Sequence, residues 1–178
     1  MRSDARRNRE RVIAAAVEAF ATEGLGVPVH EIARRAGVGT GTVSRHFPTK
    51  QALYEAIVLD RVGQLVVHAR TVKDTHEPGD AFFAFFGYMV TEGATNQGLA
   101  QALAGAGFDA EAAASGADDD VMAALGDLLV RAQRAGEVRA DVDVADVKAL
   151  IVACLARPET DPDARTRMIS ITTAGLRP

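Results

Sequence analysis

One cysteine in 178 residues, Cys154, excludes a disulfide framework and a thiolate zinc site. That count suits a reducing compartment, and the expected location is the cytoplasm. Long apolar runs are also missing. The longest, "AFFAFFGYMV" over residues 81–90, falls far short of the roughly 20 residues that cross a bilayer, and it reads as a buried core helix. The opening "MRSDARRNRERV" is charged throughout and has no apolar h-region, which argues against a secretory signal. No stretch alternates polar and apolar residues with a period of two, so no sheet is expected. A phosphate-binding glycine loop, a nucleophile elbow and a paired acid–base constellation are likewise absent, and the chain is expected not to be an enzyme. His30, His46, His68 and His76 are scattered without a second ligand in a recognised spacing, so neither metal nor cofactor is expected.

The charge that is present is unevenly placed. Residues 1–50 carry nine Lys/Arg against five Asp/Glu, a net of +4, and the rest carry eleven against nineteen, a net of −8. A basic front and an acidic back imply two jobs, and only the front should attract an anionic polymer.

Helical periodicity runs from end to end, and the fold class is all-α with about nine helices. In residues 6–21, Ile13, Val17 and Phe20 fall at i, i+4 and i+7. Gly24 stops that helix, and Pro28 suits the first turn of the next. Val29, Ile32, Ala33 and Ala36 form a short stripe ended by Gly37; Val43 and Phe47 form another ended by Pro48. A fourth helix extends over residues 50–73, and its stripe rotates. Leu53, Tyr54, Ile57 and Val58 lie on one side, while Val62, Leu65, Val66 and Ala69 lie about 100° around. Such a helix packs against two bodies, which places a junction near Asp60 and Arg61 with no flexible linker. The expected domains are residues 1–50, with the junction inside 50–73, and residues 51–178.

Residues 80–92 predict a helix buried on most sides. Residues 98–120 predict one short helix before Gly105 and then a mobile loop, with Asp118, Asp119 and Asp120 starting the next helix. Gly136 ends that helix. Asp143 and Asp146 have the spacing of a capping box for another, carried by Val147, Leu150, Ile151 and Cys154. A turn over 156–162 and a last helix over 162–176 complete the chain.

The chemistry concentrates in "IARRAGVGTGTVSRHFPTK", residues 32–50. Ala33, Gly37 and Val43 supply what a helix-turn-helix needs: a small crossing residue, a glycine at the turn and an apolar peg. The second helix, from Gly39 or Thr40 to Phe47, has only Val43 and Phe47 to bury. Thr40, Gly41, Thr42, Ser44, Arg45 and His46 are left as small or hydrogen-bonding positions suited to base edges and phosphates. Lys50 opposes the dipole of its own helix, yet becomes favourable if a phosphate docks there. Arg2, Arg6, Arg7, Arg9 and Arg11 extend the positive surface, either as a phosphate-contacting helix start or as an arm beside the minor groove.

Residues 29–58, "VHEIARRAGVGTGTVSRHFPTKQALYEAIV", together with the preceding "AFATEG", resemble the DNA-binding domain of the TetR family of transcriptional repressors. The ending "RADVDVADVKAL…TTAGLRP" resembles members with an SbtR-like C-terminal domain. The resemblance implies a homodimer, a palindromic double-stranded DNA operator, and a small-molecule effector pocket in the helical C-terminal part. Carried over by position, Thr40, Gly41, Thr42 and Ser44 face bases and phosphates, and His46 and Lys50 touch phosphates. Two departures stand out. Ser44 replaces the usual Tyr, removing a large contact, and Gly39 replaces the usual capping Ser or Thr, so Thr40 is expected to take the cap.

The apolar residues of the C-terminal part suggest a hydrophobic effector. Val62, Val66, Phe82, Phe83, Phe86, Met89, Phe108, Met122 and Leu125 are the candidate pocket, with His68, Tyr88, Thr91 and Asn96 as polar contacts. Val147, Leu150, Ile151, Cys154, Met168, Ile171 and Gly175 on the last two helices are the candidate dimer interface. The alternative is a DNA-binding protein whose helical half only dimerises and binds no effector.

Overall fold

The computed structural model describes residues 2–156 and 163–178, and among them there are nine helices and no strand. They are α1 (Arg2–Glu23), α2 (Val29–Ala36), α3 (Thr40–His46), α4 (Lys50–Thr75), α5 (Pro78–Thr95), α6 (Gln97–Gly105), α7 (Ala110–Arg134), α8 (Val144–Ala156) and α9 (Ala164–Leu176). The turn expected over 156–162 lies, from residue 157 on, outside the described residues, and so does the expected first residue of the last helix.

The chain divides into two units. One is Met1–Arg61 with Asn96–Ser115; the other is Val62–Thr95 with Gly116–Pro178. The first unit is built on α1. Val12, Ile13, Ala16, Ala19 and Phe20 are buried along its stripe and meet Ile32 and Ala33 of α2, Val43 of α3, and Leu53 and Ile57 of α4. Each large aliphatic side chain so buried contributes about 1.5–3 kcal/mol. Phe20 packs edge-on against Tyr54 at 5.6 Å, and Tyr54 does the same against Phe108 at 5.7 Å. Leu99 and Leu103 of α6 complete this core. Residues 96–115, expected among residues 51–178, thus cluster with the first unit.

A second difference lies in residues 106–120. The expected mobile loop is instead the first part of α7, which begins at Ala110. Asp109 caps it, its Oδ1 accepting from the Ala112 N–H at 2.9 Å. Five alanines among residues 110–117 outweigh the single Gly116, whose helical cost is about 1 kcal/mol. Asp118, Asp119 and Asp120 consequently sit inside α7 rather than at its start.

In the second unit, Phe82, Phe85 and Phe86 of α5 are fully buried, with Leu125, Leu128 and Leu129 of α7 and Val147, Ile151 and Cys154 of α8 also in the core. Gln133 ties down the α7–α8 connection by donating to the Arg139 and Val142 carbonyls at 3.1 and 2.8 Å. The capping box at α8 is reciprocal: the Asp146 N–H donates to Asp143 Oδ1 at 2.9 Å, and the Asp143 N–H donates to Asp146 Oδ2 at 3.1 Å.

Candidate nucleic-acid interface

A helix-turn-helix is formed by α2 and α3. Gly37 ends α2 at φ 62° and ψ 38°, a left-handed conformation that costs other residues strain. The chain folds back there: the Gly37 N–H donates to Arg34 O at 3.1 Å, and the Val38 N–H donates to Ala33 O at 3.0 Å. Gly39 is the N-cap of α3, extended at φ −71° and ψ 147°, and no side chain caps the helix. Thr40 therefore does not take the cap that its residue type suggests, because Gly39 already supplies the carbonyl that the Thr42 and Val43 N–H groups reach at 2.8 and 3.3 Å. The Thr40 side chain is exposed.

Within α3 only Val43 is buried, and Phe47 follows it at the C-cap. At about 100° per residue, Arg45 stands about 160° around the axis from both. It is exposed, as are Gly41 and Ser44, while Thr42 and His46 are half-buried. The His46 ring lies 6.1 Å from that of Phe47. The exposed surface therefore carries a long cation and two small residues to one side of it, with Thr40 at its start.

Lys50 opens α4, where Thr49 is the cap: its Oγ1 accepts from the Ala52 N–H at 3.1 Å. The residue type was a readable signal for that cap. The Lys50 ammonium donates to the Leu25 carbonyl at 3.0 Å, which uses one of its three donors. Lys50 and Arg45 are both exposed.

The basic residues of α1 have separate fates. Residues 2–23 form one helix, so the alternative of an extended arm finds no extended segment among the described residues. Arg6 pairs with Glu10 at 3.6 Å, and Arg7 pairs with Asp4. Arg11 donates to the Gly37 carbonyl at 3.0 Å, and the Arg9 guanidinium lies 5.6 Å from the centre of the Phe47 ring. Neither of these partners is visible in the sequence, because Gly37 is 26 residues from Arg11. On α2, Glu31 accepts from Arg34 at 2.7 and 2.8 Å and from Arg35 at 2.9 Å, and Arg35 also reaches Glu23. These bonds, Arg34 first and then Arg35, hold the Glu31 carboxyl down to about 2.

The effector candidates do not form one group. Phe108 belongs to the first unit, against Tyr54. Phe82, Phe86, Leu125 and Val62 are buried in the second unit, while Phe83, Met89 and Met122 are half-buried there. The Phe83 ring is covered by the Arg177 guanidinium at 4.4 Å. Val66 lines a groove of about 330 Å³ between α4 and α7, whose rim carries Arg70, Asp120 and the Lys73–Asp127 ion pair at 2.7 Å. Of the polar candidates, His68 stacks on Tyr88 at 3.7 Å, and burial pushes its imidazole below the usual range. The Thr91 hydroxyl donates to the Gly87 carbonyl at 2.9 Å.

The dimer candidates separate by face. Val147, Ile151 and Cys154 turn inward and Met168 is half-buried. Leu150, Ile171 and Gly175 line a groove of about 640 Å³ along α8 and α9, with Ala149, Ala153 and Thr172 between them. Ile171 is 67% exposed and Val152 is 56% exposed.

Residues 12–57 match the family model for bacterial regulatory proteins of the tetR family, and residues 77–178 match that for the C-terminal domain of SbtR-like transcriptional regulators. The fold is similar to the crystal structure of a TetR transcription regulatory protein from Mycobacterium vanbaalenii, 52% identical over 99% of each chain with a TM-score of 0.85. A TetR transcriptional regulator from Streptomyces coelicolor is 32% identical over 96% of this chain and 98% of its own, with a TM-score of 0.79. An HTH-type transcriptional regulator of Staphylococcus aureus strain USA300 is 29% identical over 105 residues, which are 58% of this chain and 57% of that protein. The chain thus spans little more than half the length of the curated relatives it matches. Two family patterns that cover the helix-turn-helix and the C-terminal helices place the chain in the TetR family of DNA-binding transcriptional regulators.

Proposed function

We propose that the protein is a cytoplasmic, ligand-responsive repressor that binds a palindromic operator as a homodimer and releases it when a small hydrophobic effector binds the C-terminal helices. The observation that carries this reading is α3, which buries only Val43 and leaves Thr40, Gly41, Ser44 and Arg45 exposed, with Lys50 nearby. Thr40, Gly41, Thr42, Ser44 and Arg45 read base edges and phosphates; His46 and Lys50 hold phosphates. The Lys50–Leu25 bond keeps the ammonium extended in the unbound protein. The C-terminal part of the SbtR-like pattern supports dimerisation, and the apolar outer face of α8 and α9 is the surface for it. Two recognition helices so joined meet half-sites about 34–36 Å apart, or a multiple of that.

Release needs an effector that prefers one of two conformers, because only a difference in affinity moves the equilibrium. The single helix α4, which runs through both units, is the element to carry that change. Footprinting of the purified protein on genomic DNA tests the reading: a protected palindrome is expected, and no protection at low salt refutes it.

A second reading is favoured by one observation. Phe82, Phe85 and Phe86 show no exposed surface at all, as in a solid core. On that reading the C-terminal helices only dimerise. A thermal-shift screen separates the two, since an effector that binds the folded state raises the melting temperature.

A further inference from the structure

We infer that Arg9 and Arg11 are positioning residues that hold the recognition helix α3 through its C-cap and through the turn ahead of it, and set operator affinity through it. The inference rests on the reading of α3 as the DNA-contacting helix. With seven residues, α3 is far too short to be stable by itself, and Val43 is the one residue it buries. Something outside the helix has to fix where it stands.

Two arginines of α1 do this at separate points. In the turn ahead of α3, Arg11 Nη2 donates to the carbonyl of Gly37, the C-cap residue of α2, at 3.0 Å, while Nη1 of the same guanidinium reaches Asn8 Oδ1 at 3.4 Å. The fit is close: a Cβ on Gly37 would lie 2.5 Å from Arg11 Nη2. At the trailing end, the Arg9 guanidinium lies over the ring of Phe47, the C-cap residue of α3. A planar guanidinium suits both tasks, donating in a fork to one side and stacking on an aromatic face. The other nearby α1 cations, Arg6 and Arg7, are paired with Glu10 and Asp4. Hydrogen bonds to base edges weaken steeply with distance and angle, so a loosened α3 loses contacts without losing any residue that makes them.

The test uses the full chain with Arg11→Met, Arg9→Met and both together; Met keeps the apolar stem and removes the guanidinium. Two measurements are needed. The first is amide hydrogen exchange of the DNA-free protein. The second is affinity, across a range of KCl concentrations, for a duplex that the unmodified protein selects from random-sequence DNA. The expected result is faster exchange confined to α3 and its flanking turns, with affinity about three- to tenfold weaker per substitution. The slope of log affinity against log salt should stay as it was. A slope that falls by about 0.9 for each arginine makes them phosphate contacts and overturns the inference. Unchanged exchange in α3 also overturns it, as does exchange that quickens equally throughout the first unit. If the unmodified protein selects no duplex, the DNA reading fails, while the exchange data still report whether the arginines hold α3.

Discussion

Glu31 engages two arginines at once, and its carboxyl is held down from an ordinary 4.5 to about 2. A carboxyl held low in the folded state contributes stability above its unfolded value, and that contribution disappears as pH falls through the folded one. The contribution of Glu31 is therefore complete above about pH 4.5 and lost towards about pH 2. Melting curves of the unmodified chain and Glu31→Gln should differ near neutrality and converge across that window. A constant gap down to the acid end would contradict the assignment. High salt should narrow the difference, because the network lies at the surface. Gly79 gives a steric prediction. It is buried at the start of α5, and a Cβ there would lie 1.9 Å from Glu137 Oε2 and 2.8 Å from Glu137 Cβ. Since the stem of Glu137 has to move as well as its tip, Gly79→Ala should lower stability by about 1–3 kcal/mol in denaturant titrations.

At the scale of elements, α3 combines poor helix formation with an open surface. Gly41 sits inside it, and a Cβ added there would meet nothing within 4 Å, so no packing demands glycine. Gly41→Ala should raise stability by up to about 1 kcal/mol on helix propensity. The same substitution should weaken operator binding, because the added methyl stands on the exposed side of the helix. Equal or tighter binding would remove Gly41 from the interface. The exposure of α3 was legible in the sequence, since Val43 is its only apolar residue and Phe47 follows at the cap. The start of α8 was equally legible, because Asp143 and Asp146 act on their own turn. The start of α7 was not. Gly105, Gly107, Ser115 and Gly116 punctuate the stretch like a loop, while the helix is decided by summed alanine propensity and the Asp109 cap. The place of α6 was hidden for another reason: Leu99 and Leu103 make an apolar stripe that any core accepts, and nothing local says which one. The Thr40 cap was misjudged because the choice lies in backbone angles at Gly39, which residue type alone leaves open.

At the scale of the whole molecule, the net charge of −4 conceals a basic first fifty residues and an acidic remainder. Operator affinity should consequently fall steeply with salt, as phosphate binding releases counterions. The proposed association of two copies rests on different residues. Ile171 is 67% exposed beside the small residues Ala149, Ala153 and Gly175. Ile171→Glu places a charge on that face, so if the proposed dimer forms there, sedimentation should show a shift from dimer to monomer, with operator affinity falling in parallel. A dimer that survives the change would move the interface elsewhere.

Cys154 is 3% exposed, and its Sγ lies 3.7 Å from Thr172 Oγ1 between α8 and α9. As the chain's lone thiol it supplies a built-in stopwatch. A maleimide dye can react only while that thiol is uncovered, so its labelling rate times the opening of its packing, whether at that seam or with the whole fold.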